Sequence, residues 1–352
     1  MNINLNSEKI LYCGRLEMNT ENKPELIFPA SSIQFSFVGK KATLEVSNRK
    51  AYWKNSLGAI INGKQYKFPL NSKGVTQIDL VDEEVEKEHN ILVFKRMDSC
   101  HVVTIEKIVL SDNSKLIPIQ NIPKRCIEVY GDSISAGEVS EATDYIGKVD
   151  PDTHNGEFSN SWYSYSWMLA RKLNARLHCI AQGGIPLMTG TGWLSPPVYL
   201  GMEDVWDKVH FHPDFKKTTL WDFSKYTPQL VIVAIGQNCS NPDDFMYNNP
   251  KGEKAKLWKE KYKNLVLSIR IKYPKATIIL TTTIMVHHTE WDDAIEEVYQ
   301  DLKYDEKIRH FLYRRNGCGT VGHLRIPEAE EMAKELEEYV NSLDIDVWED
   351  LR

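Results

Sequence analysis

The sequence predicts an α/β chain in two parts: a β-sandwich of jelly-roll type over residues 1–122, then a parallel-sheet domain over residues 123–352. Three observations carry this expectation. Up to about residue 122, apolar and polar residues alternate over short runs broken by turn residues, as in many half-buried strands. From Cys126 onward, continuous apolar runs alternate with segments of helical period, as in a parallel sheet joined by crossover helices. A length of 352 residues suits two domains, and Pro118–Pro123 reads as the linker.

In the first part, Ser32–Phe37 and Ala42–Val46 alternate polar with apolar residues. Further strands are expected at Ser56–Ile61, Thr76–Leu80, Asn90–Lys95 and His101–Leu110. Gly39, Asn62-Gly63, Asn71-Ser72 and Asn113-Ser114 punctuate them as turns. Asn62-Gly63 is the clearest, since Asn-Gly suits a two-residue hairpin loop.

In the second part, Cys126–Tyr130 is the first strand. Ser161–Leu173 is a helix, capped from Ser159 to Ser161, with Trp162, Tyr165, Leu169 and Leu173 on one side. Leu177–Ala181 and the apolar run Leu230–Ile235 are the next strands, the latter as expected of a strand buried on both faces. Gly252–Tyr273 is a helix that turns Trp258, Tyr262, Leu265 and Ile269 to the core. Thr277–Ile284 is a strand, His310–Tyr313 a short one. Pro327 begins the last helix, whose apolar face holds Ala329, Met332, Leu336, Tyr339 and Leu343.

Composition narrows the function classes. Hydrophobic content of 42% and charged content of 26% are ordinary for a globular protein. A net charge of −6 argues against a nucleic-acid partner or an anionic membrane surface. No apolar run approaches the ~18–20 residues of a membrane-spanning helix. Met1–Asn6 lacks the basic and apolar regions of a signal peptide, so a cytoplasmic location is expected. None of the six cysteines forms a Cys-x-x-Cys pair; they are expected to be free thiols.

The stretch Val129-Tyr130-Gly131-Asp132-Ser133-Ile134-Ser135-Ala136-Gly137 organises the chain. It sets a serine where a strand ends in a small-residue turn, with backbone N–H groups free beside it. An acyl-transfer nucleophile is useful there. Two distant stretches join it: Ala234-Ile235-Gly236-Gln237-Asn238 and Gly322-His323. Each falls at the carboxyl end of a strand or ahead of the last helix, where open α/β sheets bind ligands.

In this order these stretches resemble the blocks of SGNH (GDSL-type) hydrolases. The resemblance implies a flavodoxin-like three-layer α/β/α domain, with Ser133 as nucleophile and His323 as base. The backbone N–H of Ser133, that of Gly184 in Ala181-Gln182-Gly183-Gly184, and the Asn238 amide would form the oxyanion hole. Gly183 fits the same block, and the sequence does not choose between the two. A sandwich ahead of such a domain is similar to carbohydrate esterase family 2. Cys13-Gly14-Arg15, Val93-Phe94-Lys95-Arg96, Trp221-Asp222-Phe223-Ser224, Gly322-His323-Leu324 and Ala329-Glu330-Glu331-Met332 carry that likeness. It implies a serine esterase that removes O-acetyl groups from xylan- or mannan-derived saccharides through an acetyl-enzyme, with no cofactor and no metal. Oligomeric state and the acetyl position stay open.

Two departures stand out. Many SGNH enzymes carry Asp three residues before the His; here that residue is Thr320. The expectation is therefore a Ser-His dyad whose imidazole is held by a main-chain carbonyl of Asn316–Gly322. Cys239 follows Asn238 where relatives often have Asp, and it reads as a small buried residue. His287 and His288 compete for the role of base. Within the aromatic-rich insertion Met188–Tyr226, Trp193 and Trp206 are candidates for sugar stacking. His210-Phe211-His212-Pro213-Asp214 offers metal-type ligands without a further partner. The rival functions are an SGNH lysophospholipase or thioesterase, and a carbohydrate-binding protein whose esterase machinery has decayed.

Overall fold

The computed structural model describes residues 1–349. The first part is antiparallel: β1 (Ile10–Cys13), β2 (Leu16–Met18), β3 (Pro24–Leu26), β4 (Ser32–Lys50), β5 (Ser56–Ile61), β6 (Lys64–Pro69), β7 (Val75–Lys95), β8 (His101–Leu110) and β9 (Lys115–Ile117). They run in the order β2-β3-β8-β4-β7-β5-β6, with β1 and β9 also on β4. Two pairs of expected strands are each one long strand. Gly39 is not a turn: β4 runs through it, and register shifts between Gly39 and Lys41 and between Ala42 and Thr43 let the strand bend. β7 likewise joins the runs expected at 76–80 and 90–95. Its middle is exposed and mostly charged, and residues 83–86 have no partner on β4 between Asp82, opposite Lys41, and Lys87, opposite Gly39, so alternation is lost there. The Asn62-Gly63 hairpin stands as expected: Ile61 pairs with Lys64, and φ is +51° and +82° at the two turn residues.

The second part contains β10 (Arg125–Gly131), α1 (Ser133–Ala136), α2 (Tyr165–Lys172), β11 (Ala175–Ala181), α3 (Met202–Val205), β12 (Leu230–Ala234), α4 (Phe245–Asn248), α5 (Glu253–Lys272), β13 (Thr277–Thr281), α6 (Glu290–Leu302), β14 (Ile308–His310) and α7 (Ile326–Ser342). The strands form a parallel sheet in the order β11-β10-β12-β13-β14. Counted within this part the order is 2-1-3-4-5, the flavodoxin-like arrangement, whose reversal point lies beside the first strand. Tyr130, Val231, Val233 and Leu280 pack one face of the sheet against Trp258, Tyr262, Trp291 and Ile295. Val129, Ile232 and Ile279 pack the other against Leu169, Met332 and Leu336.

Where the helix Ser161–Leu173 was expected, Ser161–Tyr163 is a 3-10 turn and Ser164 is the true cap of α2, its Oγ accepting from Trp167 N at 3.2 Å. The sequence reading passed over α6, although Trp291, Ala294, Ile295, Val298 and Leu302 give it an apolar face. Its acidic first turn suits a helix N-terminus.

The two sheets meet through buried charge. Arg15, wholly buried, donates to Glu128 Oε1 (3.0 Å) and Tyr130 Oη (2.7 Å) at the core of β10. Arg96 pairs with Glu141, and Ser161 bonds the carbonyls of Lys95 (2.7 Å) and Arg96 (2.8 Å).

Candidate active site

Ser133 opens α1 directly after β10, at the carboxyl edge of the sheet and beside the reversal point. Asp132 caps the turn: its Oδ1 accepts from Ile134 N at 3.0 Å. Burial pushes the Asp132 carboxyl up to about 6, against the pull of that backbone bond and of His323. A cavity of about 660 Å³ opens above this turn. Ser133, Gly184, Asn238, His323 and Trp193 all line it, as do His287 and His288.

His323 departs from the expected arrangement. Its Nδ1 lies 2.5 Å from Asp150 Oδ2, and its backbone N–H donates to Asp150 Oδ1 at 3.0 Å. A carboxylate accepts only, so Nδ1 carries the proton. The expected main-chain carbonyl is therefore replaced by an acid from another loop. Three carbonyls of the 316–322 loop are engaged elsewhere: Thr320 O accepts from Val286 N, Gly317 O from His287 N, and Gly319 O from Arg315. The loop holding Asp150 comes this close because residue 322 is glycine. A Cβ there would lie 2.6 Å from Lys148 O and 2.8 Å from Asp150 Oδ1.

Arg325, wholly buried, fixes both partners, meeting Asp150 Oδ1 at 2.9 Å and donating to the His323 carbonyl. Burial works against charge on both Asp150 and His323. The bond to His323 and the charges of His323 and Arg325 prevail at Asp150, holding it well below the usual carboxylate range. At His323 the carboxylates of Glu138, Asp150 and Asp132 prevail, and its pKa is raised.

The choice between the two glycines has a physical answer. Gly183 donates its N–H to Asp98 Oδ2 at 2.8 Å. Gly184 has φ +72°, favoured by glycine, and its N–H, like that of Ser133, has no partner among the described residues. The Asn238 amide lies over the same turn, its Nδ2 3.3 Å from Asp132 Oδ2 and 3.2 Å from the Ile185 carbonyl.

His287 is held on both sides. Its Nδ1 lies 2.7 Å from the Met285 carbonyl and its Nε2 3.1 Å from Asp292 Oδ2. His288 bonds Asp244 at 2.7 Å and stacks on Tyr247 at 3.9 Å. Trp193 is 63% exposed at the cavity rim. Trp206 is not part of the cavity. It packs against Phe223 at 5.5 Å, and its carbonyl accepts from Arg15, so the insertion's apolar core takes its indole. Cys239 is buried, accepts from Leu187 N at 3.2 Å, and burial raises its thiol pKa, as a small core residue. All six cysteines are free.

His210 sits with Glu17 (2.8 Å) and Glu25 (3.0 Å), brought together from both parts of the chain. Lys217 Nζ lies 3.0 Å and 3.1 Å from the same carboxylates and supplies the positive charge there. No helix among the described residues is long and apolar enough to cross a membrane.

Sequence reasoning missed Asp150, Arg325, Glu138 and Asp98, and the cavity walls Tyr52 and Trp53 supplied by the first part. Gly322 was a usable signal for Asp150, since a glycine beside the base marks a close approach.

Comparison with known proteins agrees with this architecture. Residues 12–119 match the family model described as carbohydrate esterase 2 N-terminal. The chain is 28% identical over 320 residues to the cellulase/esterase CelE of Acetivibrio thermocellus, covering 89% of this chain and 36% of that protein. The chain thus spans about a third of that relative's length. It is 26% identical over 281 residues to an acetylxylan esterase / glucomannan deacetylase of Cellvibrio japonicus, covering 76% of this chain and 69% of the relative. Among solved structures it is similar to a family two carbohydrate esterase from Clostridium thermocellum in complex with cellohexaose. That likeness has 26% identity and a TM-score of 0.77 over 94% of this chain and 98% of that one. The fold is shared with a family two carbohydrate esterase from Cellvibrio japonicus, at 21% identity and a TM-score of 0.80, over 97% of both chains. In sequence and in fold, this chain resembles carbohydrate esterases of family 2 along nearly its whole length.

Proposed function

We propose that this protein is a serine esterase that removes O-acetyl groups from saccharides, with xylan- or mannan-derived oligosaccharides as the substrate class. The observation that carries the reading is His323, bonded to Asp150, in one cavity with Ser133 and the free N–H of Gly184. Nδ1 of His323 is committed to Asp150, which leaves Nε2 as the basic nitrogen. Ser133 Oγ attacks the acetyl carbonyl while His323 takes its proton. The carbonyl oxygen gains negative charge, and the N–H groups of Ser133 and Gly184 stabilise it. Asn238 joins them if its amide turns from the long contacts to Asp132 and Ile185. His323 then protonates the departing sugar oxygen and an acetyl-enzyme remains. A water molecule, deprotonated by His323, attacks that ester and releases acetate and free Ser133. The likeness to the Cellvibrio japonicus acetylxylan esterase / glucomannan deacetylase supports the substrate class.

The test is acetate release from acetylated xylo- and manno-oligosaccharides by the wild type and by Ser133→Ala. The variant should keep well under about a tenth of the wild-type rate, because triad-type groups act as a unit. Acetyl esters should be preferred to octanoyl esters. The reverse preference would favour a lysophospholipase or thioesterase, and no Ser133-dependent turnover at all would favour a binding protein.

A further inference from the structure

One acidic side chain of the cavity acts on His323 only through its charge and touches none of the reacting groups above. Glu138 follows the C-terminal turn of α1, lines the cavity and is 9% exposed. Its carboxyl makes no hydrogen bond among the described residues. Its neighbour Asp98 is the opposite case. Asp98 Oδ1 accepts from Cys100 N at 3.0 Å, and Oδ2 from Gly183 N at 2.8 Å and Gln182 Nε2 at 2.9 Å. Both acids crowd the side-chain position that Gly183 leaves vacant. A Cβ on Gly183 would lie 2.6 Å from Glu138 Oε2 and 2.7 Å from Asp98 Oδ2. Gly184 supplies a free N–H, then, while Gly183 makes room for a carboxyl pair.

Glu138 faces the cavity, so its carboxyl is open to bonds from a bound molecule. Asp98 is saturated by its three donors. Glu138, buried beside Asp98, Asp150 and Asp132, is pushed up to about 7, burial being the main cause and His323 the opposing one. A protonated carboxyl both donates and accepts, which matches an alcohol.

The position identifies which alcohol. The leaving oxygen must come within reach of His323, which protonates it. Glu138 and His323 line the same cavity. The acyl oxygen lies instead towards Gly184 and Asn238. Trp53, Asp98 and Glu138 all line the cavity, so an aromatic side chain shares its wall with the acid pair. We propose that Glu138 recognises a free sugar hydroxyl next to the acetylated oxygen, in a subsite walled by Trp53 and Asp98. This rests on the saccharide-esterase reading above and adds the residue that separates acetylated sugars from simple acetyl esters.

The test compares wild type, Glu138→Ala and Glu138→Gln on two substrates, an acetylated xylo-oligosaccharide and 4-nitrophenyl acetate. The readout is the ratio of kcat/KM for the sugar ester to that for the aryl ester. A site built to bond a hydroxyl loses discrimination when its partner is removed, so the ratio should fall roughly tenfold or more in Glu138→Ala. Gln keeps a donor and an acceptor in the same volume and should restore the ratio to within about threefold of wild type. Inhibition of aryl-ester hydrolysis by the unacetylated oligosaccharide gives a second readout, and it should weaken in Glu138→Ala and return in Glu138→Gln. An unchanged ratio, or parallel loss on both substrates, would overturn the subsite while leaving the esterase reading intact. Absence of Ser133-dependent acetate release from any acetylated sugar by the wild type would overturn both.

Discussion

Replacing Asp150 by Asn is the sharpest probe of the site, because a dyad and a triad predict opposite outcomes. In a dyad, neutralising any single acid leaves turnover nearly intact. The structure instead joins Asp150 to His323 by the 2.5 Å contact at Nδ1 and the 3.0 Å bond from the His323 N–H. Losing a hydrogen bond to a charged group costs about 1.5–3 kcal/mol. As a loss confined to the transition state, that is roughly ten- to 150-fold in rate. An amide can also present its NH₂ to Nδ1 and enforce the wrong tautomer, which in a comparable constellation takes the loss to about 10⁴.

The expected fall in kcat for Asp150→Asn therefore lies between roughly tenfold and 10⁴-fold, measured on 4-nitrophenyl acetate, with circular dichroism to verify folding. The pH profile adds a signed readout. The base works when neutral, so kcat/KM declines as pH falls through the His323 pKa, which Asp150 helps to raise. Removing that charge should move the acid limb to lower pH. Stability has its own sign. The folded Asp150 pKa is depressed, so its contribution is present above the unfolded value of about 3.9 and lost as pH falls below it. The stability deficit of the variant should shrink over that range. An Asp150→Asn enzyme that keeps more than about a tenth of wild-type kcat, or whose acid limb stays in place, refutes the triad.

Other perturbations test separate parts of the structure. Asn238→Ala should lower kcat roughly a hundred- to a thousandfold with little change in KM, as for other oxyanion donors; a KM effect alone would make Asn238 a binding residue. Arg15→Met strands the buried Glu128 and should cost about 3–5 kcal/mol in denaturant unfolding, whereas a loss under about 1 kcal/mol would mean that the pair contributes no more than a surface one.

The parallel-sheet part was largely legible in the sequence because its central strands β12 and β13 are apolar runs, whereas β14, Ile308–His310, lacks one and lies ahead of the expected 310–313. Strands buried on both faces leave little ambiguity, and α5 and α7 carry full apolar stripes. The sandwich was less legible where strands bend without ending. Gly39 looks like a turn in any local reading; only pairing across β7 reveals a bulge. Within the site, residues inside motif strings were found and those delivered from afar were not. Ser133, Asn238 and His323 sit in recognisable blocks. Asp150 reaches His323 from a loop whose local sequence names no role. Tyr52, Trp53 and Asp98 come from a different sheet altogether, and no local pattern signals a contact of that range. Trp206 shows the converse error: an aromatic in an insertion over the site was taken for a wall and proves to be packing.

The seam between the two sheets has a thermodynamic consequence. Arg15 and Arg96 leave the sandwich to find their anions on the parallel-sheet side, while Asp98 finds its donors at Gln182 and Gly183. Parting the halves would strand Glu128 without its cation, bare the Gly183 N–H, and strip Tyr52 and Trp53 from the cavity. No intermediate with one half folded keeps these groups satisfied, so the two halves are energetically a single cooperative unit. Heat should melt them in one transition, with calorimetric and van't Hoff enthalpies in agreement. Loss of activity should follow that same transition, since the pocket exists only while both halves are joined.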